Sequence, residues 1–205
     1  MSIFRQASFE TSIAKPSALP PADGFEIAFA GRSNAGKSSA INTLAGHTRL
    51  AYVSKTPGRT QLLNFFRLPC GARLVDLPGY GYAAVPERIR LQWGELIESY
   101  LKTRMALAGL VLMMDTRHPL TALDRQMIGW FAPSGRPIHI LLTKSDKLSR
   151  GAAQATLRKV REALAAHGHG ERITVQLFSS LTRNGVEECE RVVGAWLAGT
   201  PGAET

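Results

Sequence analysis

Residues 25–38 run FEIAFAGRSNAGKS, an apolar segment followed at once by a complete G-x-x-x-x-G-K-[ST] pattern from Gly31 to Ser38. The apolar residues suit a buried strand, and the glycine-rich turn opens an amphipathic stretch at 37–44. A strand that ends in such a turn and starts a helix aims consecutive backbone N–H groups at one point, where the positive end of the helix dipole also lies. The cradle of Gly31, Arg32, Ser33, Asn34, Ala35 and Gly36 therefore suits a polyphosphate. Lys37 would reach the outer phosphates as a point charge, and the Ser38 hydroxyl would ligate a magnesium ion bridging them.

Further apolar runs recur at 62–67, 73–75, 109–115, 137–143 and 173–178, and amphipathic stretches alternate with them at 86–105, 122–131, 152–167 and 186–197. This alternation predicts an α/β fold of three layers: a mostly parallel six-stranded sheet with helices on both faces and ligands at the carboxyl ends of the strands. Only the second and third strands adjoin without a helix. Their connection, LPCGA at 68–72, holds Pro and Gly, so the pair is expected as an antiparallel hairpin at one edge. In the 86–105 stretch Pro86 stands at the start, and Ile89, Trp93, Leu96 and Tyr100 recur at helical spacing as a core-facing stripe. Pro16, Pro20, Pro21 and Gly24 mark 1–24 as an extended lead-in and 199–205 as a polar tail, leaving one domain at 25–198.

The composition, 205 residues and 44% hydrophobic, fits one domain with a sizeable core. No apolar run approaches the ~18 residues of a membrane span, and residues 1–10 lack the apolar region of a signal peptide, so a cytoplasmic protein without membrane attachment is expected. Cys70 and Cys189 have neither the number nor the spacing of a disulfide framework or zinc site. The 25 basic against 16 acidic residues give a net charge of +9 and a pI near 10.1. That balance is unusual for an enzyme acting only on small metabolites and points to a polyanionic partner. The excess lies in two stretches, 49–104 and 136–172, each contributing +5.

Asp76, Leu77, Pro78 and Gly79 follow the third strand. Behind a phosphate loop, an aspartate there can hold the outer shell of the magnesium, and the Gly79 N–H can meet a terminal phosphate. Thr143, Lys144, Ser145 and Asp146 end the fifth strand and select the base. A carboxylate at Asp146 can accept from both N1–H and the exocyclic amine of guanine, whereas adenine presents a bare acceptor at N1. An unpaired buried polar group costs about 1–3 kcal/mol, which supports strong discrimination for guanine. Lys144 would lay its aliphatic stem along the base plane. Phe178, Ser179 and Ser180 close the sixth strand, where a serine backbone N–H would meet guanine O6.

These four sites, in this order, resemble the Ras-like, translation-factor-related GTPases. The segment Ser54-Lys55-Thr56-Pro57-Gly58-Arg59-Thr60-Gln61, the run Asp76-Leu77-Pro78-Gly79-Tyr80-Gly81-Tyr82 and Arg117-His118-Pro119 narrow the resemblance to the EngB family of ribosome-biogenesis GTPases, from about Phe4 to Leu197. The resemblance implies that Thr60 ligates magnesium and senses the terminal phosphate, with Gly58, Arg59, Gln61 and Leu62 beside it. It makes the residues after Gly79 a second switch, and Lys37, Thr60 and Gly79 the catalytic set. It also implies a monomer that binds GTP and GDP, acts on the large ribosomal subunit and its rRNA rather than on DNA, and supports normal septation. Asn34 occupies the loop position at which potassium-stimulated relatives hold a monovalent cation, so potassium joins magnesium as an expected cofactor.

Two departures from the general GTPase pattern bear on the chemistry. Thr143 stands where the usual N-K-x-D signature has asparagine, which removes an amide that would brace the base against the phosphate loop, so nucleotide binding is expected to be weak. Tyr80 stands where Ras-type enzymes carry the water-positioning glutamine, so unaided hydrolysis is expected to be slow. Gln61 and His118 are the candidate substitutes. Two other readings compete with a slow GTP switch: a binding module whose nucleotide only orders the fold, and an ATP-dependent small-molecule kinase. Lys37, Ser38, Thr60 and Asp76 speak against the first, and Asp146 against the second.

Overall fold

The computed structural model describes residues 4–51, 62–81, 87–166 and 172–198. Its seven strands are β1 (Ser8–Ile13), β2 (Glu26–Gly31), β3 (Leu63–Arg67), β4 (Arg73–Asp76), β5 (Leu107–Asp115), β6 (Ile138–Thr143) and β7 (Ile173–Leu177). They form one sheet in the order β1-β3-β4-β2-β5-β6-β7. Helices α1 (Lys37–Ala45), α2 (Glu87–Thr103), α3 (Ala122–Phe131) and α4 (Arg150–Ala166) lie between strands, and α5 (Val186–Ala198) follows β7. Strands β2, β4, β5, β6 and β7 pair in parallel, while β3 runs antiparallel to both of its neighbours.

Two expectations are corrected here. The sheet has seven strands rather than six, and the antiparallel strand is interior rather than at an edge, because the lead-in supplies β1 and covers β3. The segment SFETSI carries Glu10 and leaves Phe9 59% exposed, so its period-two pattern is weak, and a bulge between Phe9 and Thr11 breaks it further. Phe4, Ala7 and Ile13 are nonetheless buried, and Phe9 sets its ring edge-on to Phe66 at 6.1 Å.

Alternation along the buried strands divides the core. Ala28, Ala30, Val75, Leu110, Leu112, Ile140 and Leu142 face α2, α3 and α4. Ile27, Phe29, Leu74, Val111, Met113 and Leu141 face α1 and α5. Leu96 and Tyr100 of the α2 stripe are buried as expected, while the side chains of Ile89 and Trp93 lie outside the described residues.

The amino ends of the strands are clamped by charge. Glu26, fully buried at the start of β2, accepts from Arg104 Nε at 2.9 Å, Arg104 Nη2 at 2.5 Å and the Tyr100 hydroxyl at 2.9 Å. Its register partner on β4, Arg73, is 2% exposed and donates to Glu10 on β1 at 2.7 Å and to Asp23 at 2.6 Å. Removing Arg104 would leave the buried Glu26 carboxylate without its cation, at a cost of about 3–5 kcal/mol. The lead-in is thus strapped to the end of the sheet opposite the phosphate loop. No described helix is long and apolar enough to cross a membrane.

Candidate functional site

The phosphate loop leaves β2 at Gly31 and enters α1 at Lys37. A Cβ on Gly31 would stand 3.0 Å from the Met113 carbonyl oxygen on β5, so glycine lets the loop begin hard against the neighbouring strand. Gly36 caps α1 at φ 90°, a backbone state that side chains disfavour. Between them the Ala35 N–H donates to the Arg32 carbonyl at 2.9 Å, and Asn34 sits at φ 63°, which asparagine tolerates. The first turn of α1 follows the loop directly, so the positive end of the helix lies beside it.

Asp76 reaches the loop because β4 lies parallel beside β2, with Phe29 and Asp76 in register. Lys37 Nζ pairs with Asp76 Oδ1, and both side chains are largely buried. Leu77 packs its side chain into the core and spends its N–H on the Phe29 carbonyl at 2.9 Å, and Pro78 is buried as well. Gly79 stays partly exposed. The next residue folds back on the loop, where the Ser33 N–H donates to the Tyr80 carbonyl at 2.7 Å.

Ser38, in the first turn of α1, and Asp76 together offer hard oxygen donors of the kind magnesium takes. Among the described residues no group of three or more His, Cys, Asp or Glu forms a metal cage. Gly58, Arg59, Thr60 and Gln61 lie outside the described residues, and Leu62 is partly buried just before β3.

Residues 143–146, expected to select the base, show a bond that the missing asparagine was expected to remove. Thr143 is 3% exposed, and its hydroxyl points at the Ala35 carbonyl of the phosphate loop at 2.5 Å and at the Met114 carbonyl at 3.1 Å. The brace expected to be lost with asparagine is therefore present, made by a hydroxyl in place of an amide. Lys144, at φ 56°, adds a second tie, donating to the Asn34 carbonyl at 2.6 Å and to Asp115 Oδ2 at 3.0 Å. Asp115 ends β5 and also takes a forked pair from Arg117, Nε to Oδ1 at 2.9 Å and Nη2 to Oδ2 at 2.7 Å. The Arg117 bonds, opposed by burial and assisted by Lys144, hold the Asp115 carboxyl well below the usual carboxylate range. His118 is exposed on the same loop.

Asp146 is oriented by Ser179, whose fully buried hydroxyl donates to its Oδ1 at 2.6 Å. The Ser179 N–H goes to the Asn184 carbonyl at 3.0 Å and is thereby engaged within the fold. Ser145 is buried and donates its N–H to the Phe178 carbonyl at 3.2 Å, and the Phe178 ring lies wholly in the core. Phe178, expected among the nucleotide contacts, thus turns its ring into the core and supports the loop after β6. Tyr80 turns its hydroxyl onto Asp124 Oδ1 of α3 at 3.0 Å.

The sequence reading missed Asp115, the Ser179 tether and Asp124. Only Asp124 had a local signal, the Thr121-x-x-Asp124 spacing of a capping box, which the structure forms at the start of α3.

A family model described as a 50S ribosome-binding GTPase matches residues 26–144. A probable GTP-binding protein EngB from Azoarcus is 75% identical over 96% of this chain and 94% of its own length. The counterpart from Aromatoleum aromaticum is 71% identical over 96% of this chain and 90% of its own length. A crystal structure of a probable GTP-binding protein engB superposes with a TM-score of 0.69 over 85% of this chain and all of that one; at 18% identity it speaks for the fold alone.

Proposed function

This chain belongs to the EngB family of GTP-binding GTPases, and from that premise we propose that it is a slow, magnesium-dependent nucleotide switch acting on the large ribosomal subunit during its assembly. The observation that carries the switch is the bond from the Ser33 N–H to the Tyr80 carbonyl, which couples the segment after Gly79 directly to the phosphate loop. Anything that changes the occupant of that loop acts on this segment at once.

In this reading Asp146, held by Ser179, accepts from the guanine edge, Ser180 gives its N–H to O6, and Lys144 lies along the base. Thr143 and Lys144 fix the distance between the base and the phosphates. Ser38 and Thr60 hold magnesium, which draws charge from the phosphates when bound. Lys37 and the Gly79 N–H stabilise the terminal phosphate as water attacks it. Tyr80 is committed to Asp124 and supplies no water-positioning amide, in keeping with slow unaided turnover.

The net charge of +9 supports an rRNA partner, and the description of the matching family model names the large subunit. Arg49, exposed beyond α1, and Lys55, Arg88 and Arg90 are the cations we assign near the switches. Lys55 and the side chains of Arg88 and Arg90 lie outside the described residues. A cytoplasmic monomer whose loss disturbs septation through ribosome supply completes the reading. Sedimentation with purified large subunits tests it. The form loaded with a non-hydrolysable GTP analogue should bind better than the GDP form and release as salt rises. Equal binding in both states, or none at moderate salt, rejects the switch.

A further inference from the structure

Asp124 is a fully buried carboxylate that belongs to none of the motifs for phosphate, base or metal. It sits in the first turn of α3 and closes a capping box, accepting on Oδ2 from the Thr121 N–H at 2.9 Å and from the Thr121 hydroxyl at 2.7 Å. A capping box needs only that oxygen. The other, Oδ1, takes the Tyr80 hydroxyl at 3.0 Å, from the residue immediately after Gly79. Arg32 of the phosphate loop brings its Nε to 3.8 Å from Oδ2, and that buried nitrogen has no hydrogen-bond partner among the described residues. One carboxylate thus faces the loop, the second switch and α3 together.

Leu120, just before the cap, is held at φ 54°, a costly backbone state for leucine. A Cβ on Gly81 would come 2.9 Å from Leu123 Cδ1, so the chain beyond Tyr80 passes close beside α3. Burial, then the Asp124 charge, pushes the Tyr80 phenol well above its ordinary pKa, which keeps it a proton donor.

We propose that Asp124 is a positioning residue for GTP hydrolysis: by holding Tyr80 on α3 and Arg32 at the loop, it sets Gly79 against the terminal phosphate. This rests on the role given to Gly79 above. It differs from a purely structural cap in one respect, because the cap survives without Tyr80.

Tyr80→Phe deletes the donating hydroxyl while leaving the ring and the capping box in place. Turnover of GTP by the full chain should fall roughly tenfold, the worth of one hydrogen bond to a charged group. Affinities for GTP and GDP should stay near wild type, while the thermal midpoint falls by about 3–10 °C because the buried Asp124 Oδ1 loses its donor. Asp124→Asn combined with Tyr80→Phe should be no slower than the slower single variant, since both break one link. Unchanged kcat in folded Tyr80→Phe overturns the proposal, as does a loss confined to thermal stability. If Asp124→Asn does not fold, Tyr80→Phe alone decides. Gly79→Ala separates the premise: if it turns over GTP like wild type, the Gly79 role itself fails. If it is slow while Tyr80→Phe is not, only the positioning by Asp124 is rejected.

Discussion

Replacing Thr143 with valine tests the brace between the base-reading segment and the phosphate loop. The side chain is 3% exposed, and valine keeps its branched shape on β6 while removing the hydroxyl. That hydroxyl has one proton, offered to Ala35 O at 2.5 Å and Met114 O at 3.1 Å, so a single strong bond is at stake rather than two. Losing it and leaving a buried acceptor short costs about 1–2 kcal/mol. Charged wholly to nucleotide binding, this amounts to roughly 5- to 30-fold in affinity. Charged wholly to folding in a chain of this size, it lowers the midpoint by about 2–8 °C. The bond ties the end of β6 to the phosphate loop, and Lys144 still tethers Asn34 from the other side. We therefore expect most of the loss in affinity: about tenfold for GTP and GDP alike, with a midpoint shift under about 4 °C. Titration with fluorescent GDP and GTP analogues, paired with thermal unfolding of the nucleotide-free protein, measures both. Affinities within twofold of wild type refute the brace. A loss for GTP alone refutes it as well, by moving Thr143 to the terminal phosphate.

Asp146→Asn should weaken GTP and favour xanthosine triphosphate. The new amide can keep its oxygen toward the Ser179 hydroxyl and turn its NH2 to the base, where xanthine presents a carbonyl in place of the amine of guanine; comparable GTP affinity in wild type and variant counts against the assignment. Buried His139 accepts on Nδ1 from the Thr174 hydroxyl and donates from Nε2 to Gln176 Oε1, both at 2.7 Å, and burial pushes its pKa down to about 4. The unfolded chain takes up the proton first, so this contribution is complete above about pH 6.5 and has lost about 3 kcal/mol by about pH 4. Urea unfolding across that range should show the fall in wild type and a flatter profile in His139→Gln; parallel profiles contradict it. Hydrolysis should run faster in potassium chloride than in sodium chloride at matched ionic strength if Asn34 helps to hold a cation. Equal initial rates would leave the asparagine to its φ of 63° alone.

The parts of the site legible in the sequence were those whose geometry is local. The phosphate loop, Asp76 and residues 143–146 each follow a strand made of one continuous apolar run, so motif and strand end coincide. What stayed hidden depends on side chains that meet across the fold. Thr143 and Ala35 are 108 positions apart, Ser179 and Asp146 33, and Tyr80 and Asp124 44. Counting the missing amide at Thr143 said nothing of where a hydroxyl on the same backbone would point. Strand β1 escaped for another reason. An edge strand has one row of backbone groups to satisfy and a half-solvated face, so SFETSI carries little hydrophobic pattern for a reader to find.

That strand has a consequence for how the chain is made. Ser12 and Asn64, whose side chains bond at 2.7 Å, are 52 positions apart, so β1 leaves the ribosome long before the strand it will pair with. At about 5–20 residues per second the wait is roughly 3 to 10 s. An apolar, uncharged segment exposed for that time would invite pairing with other nascent chains. Glu10 and the hydroxyls of Ser8, Thr11 and Ser12 guard against it, and the same Glu10 then receives Arg73 when β4 arrives. The residue that keeps the early strand soluble is the one that later locks it in place.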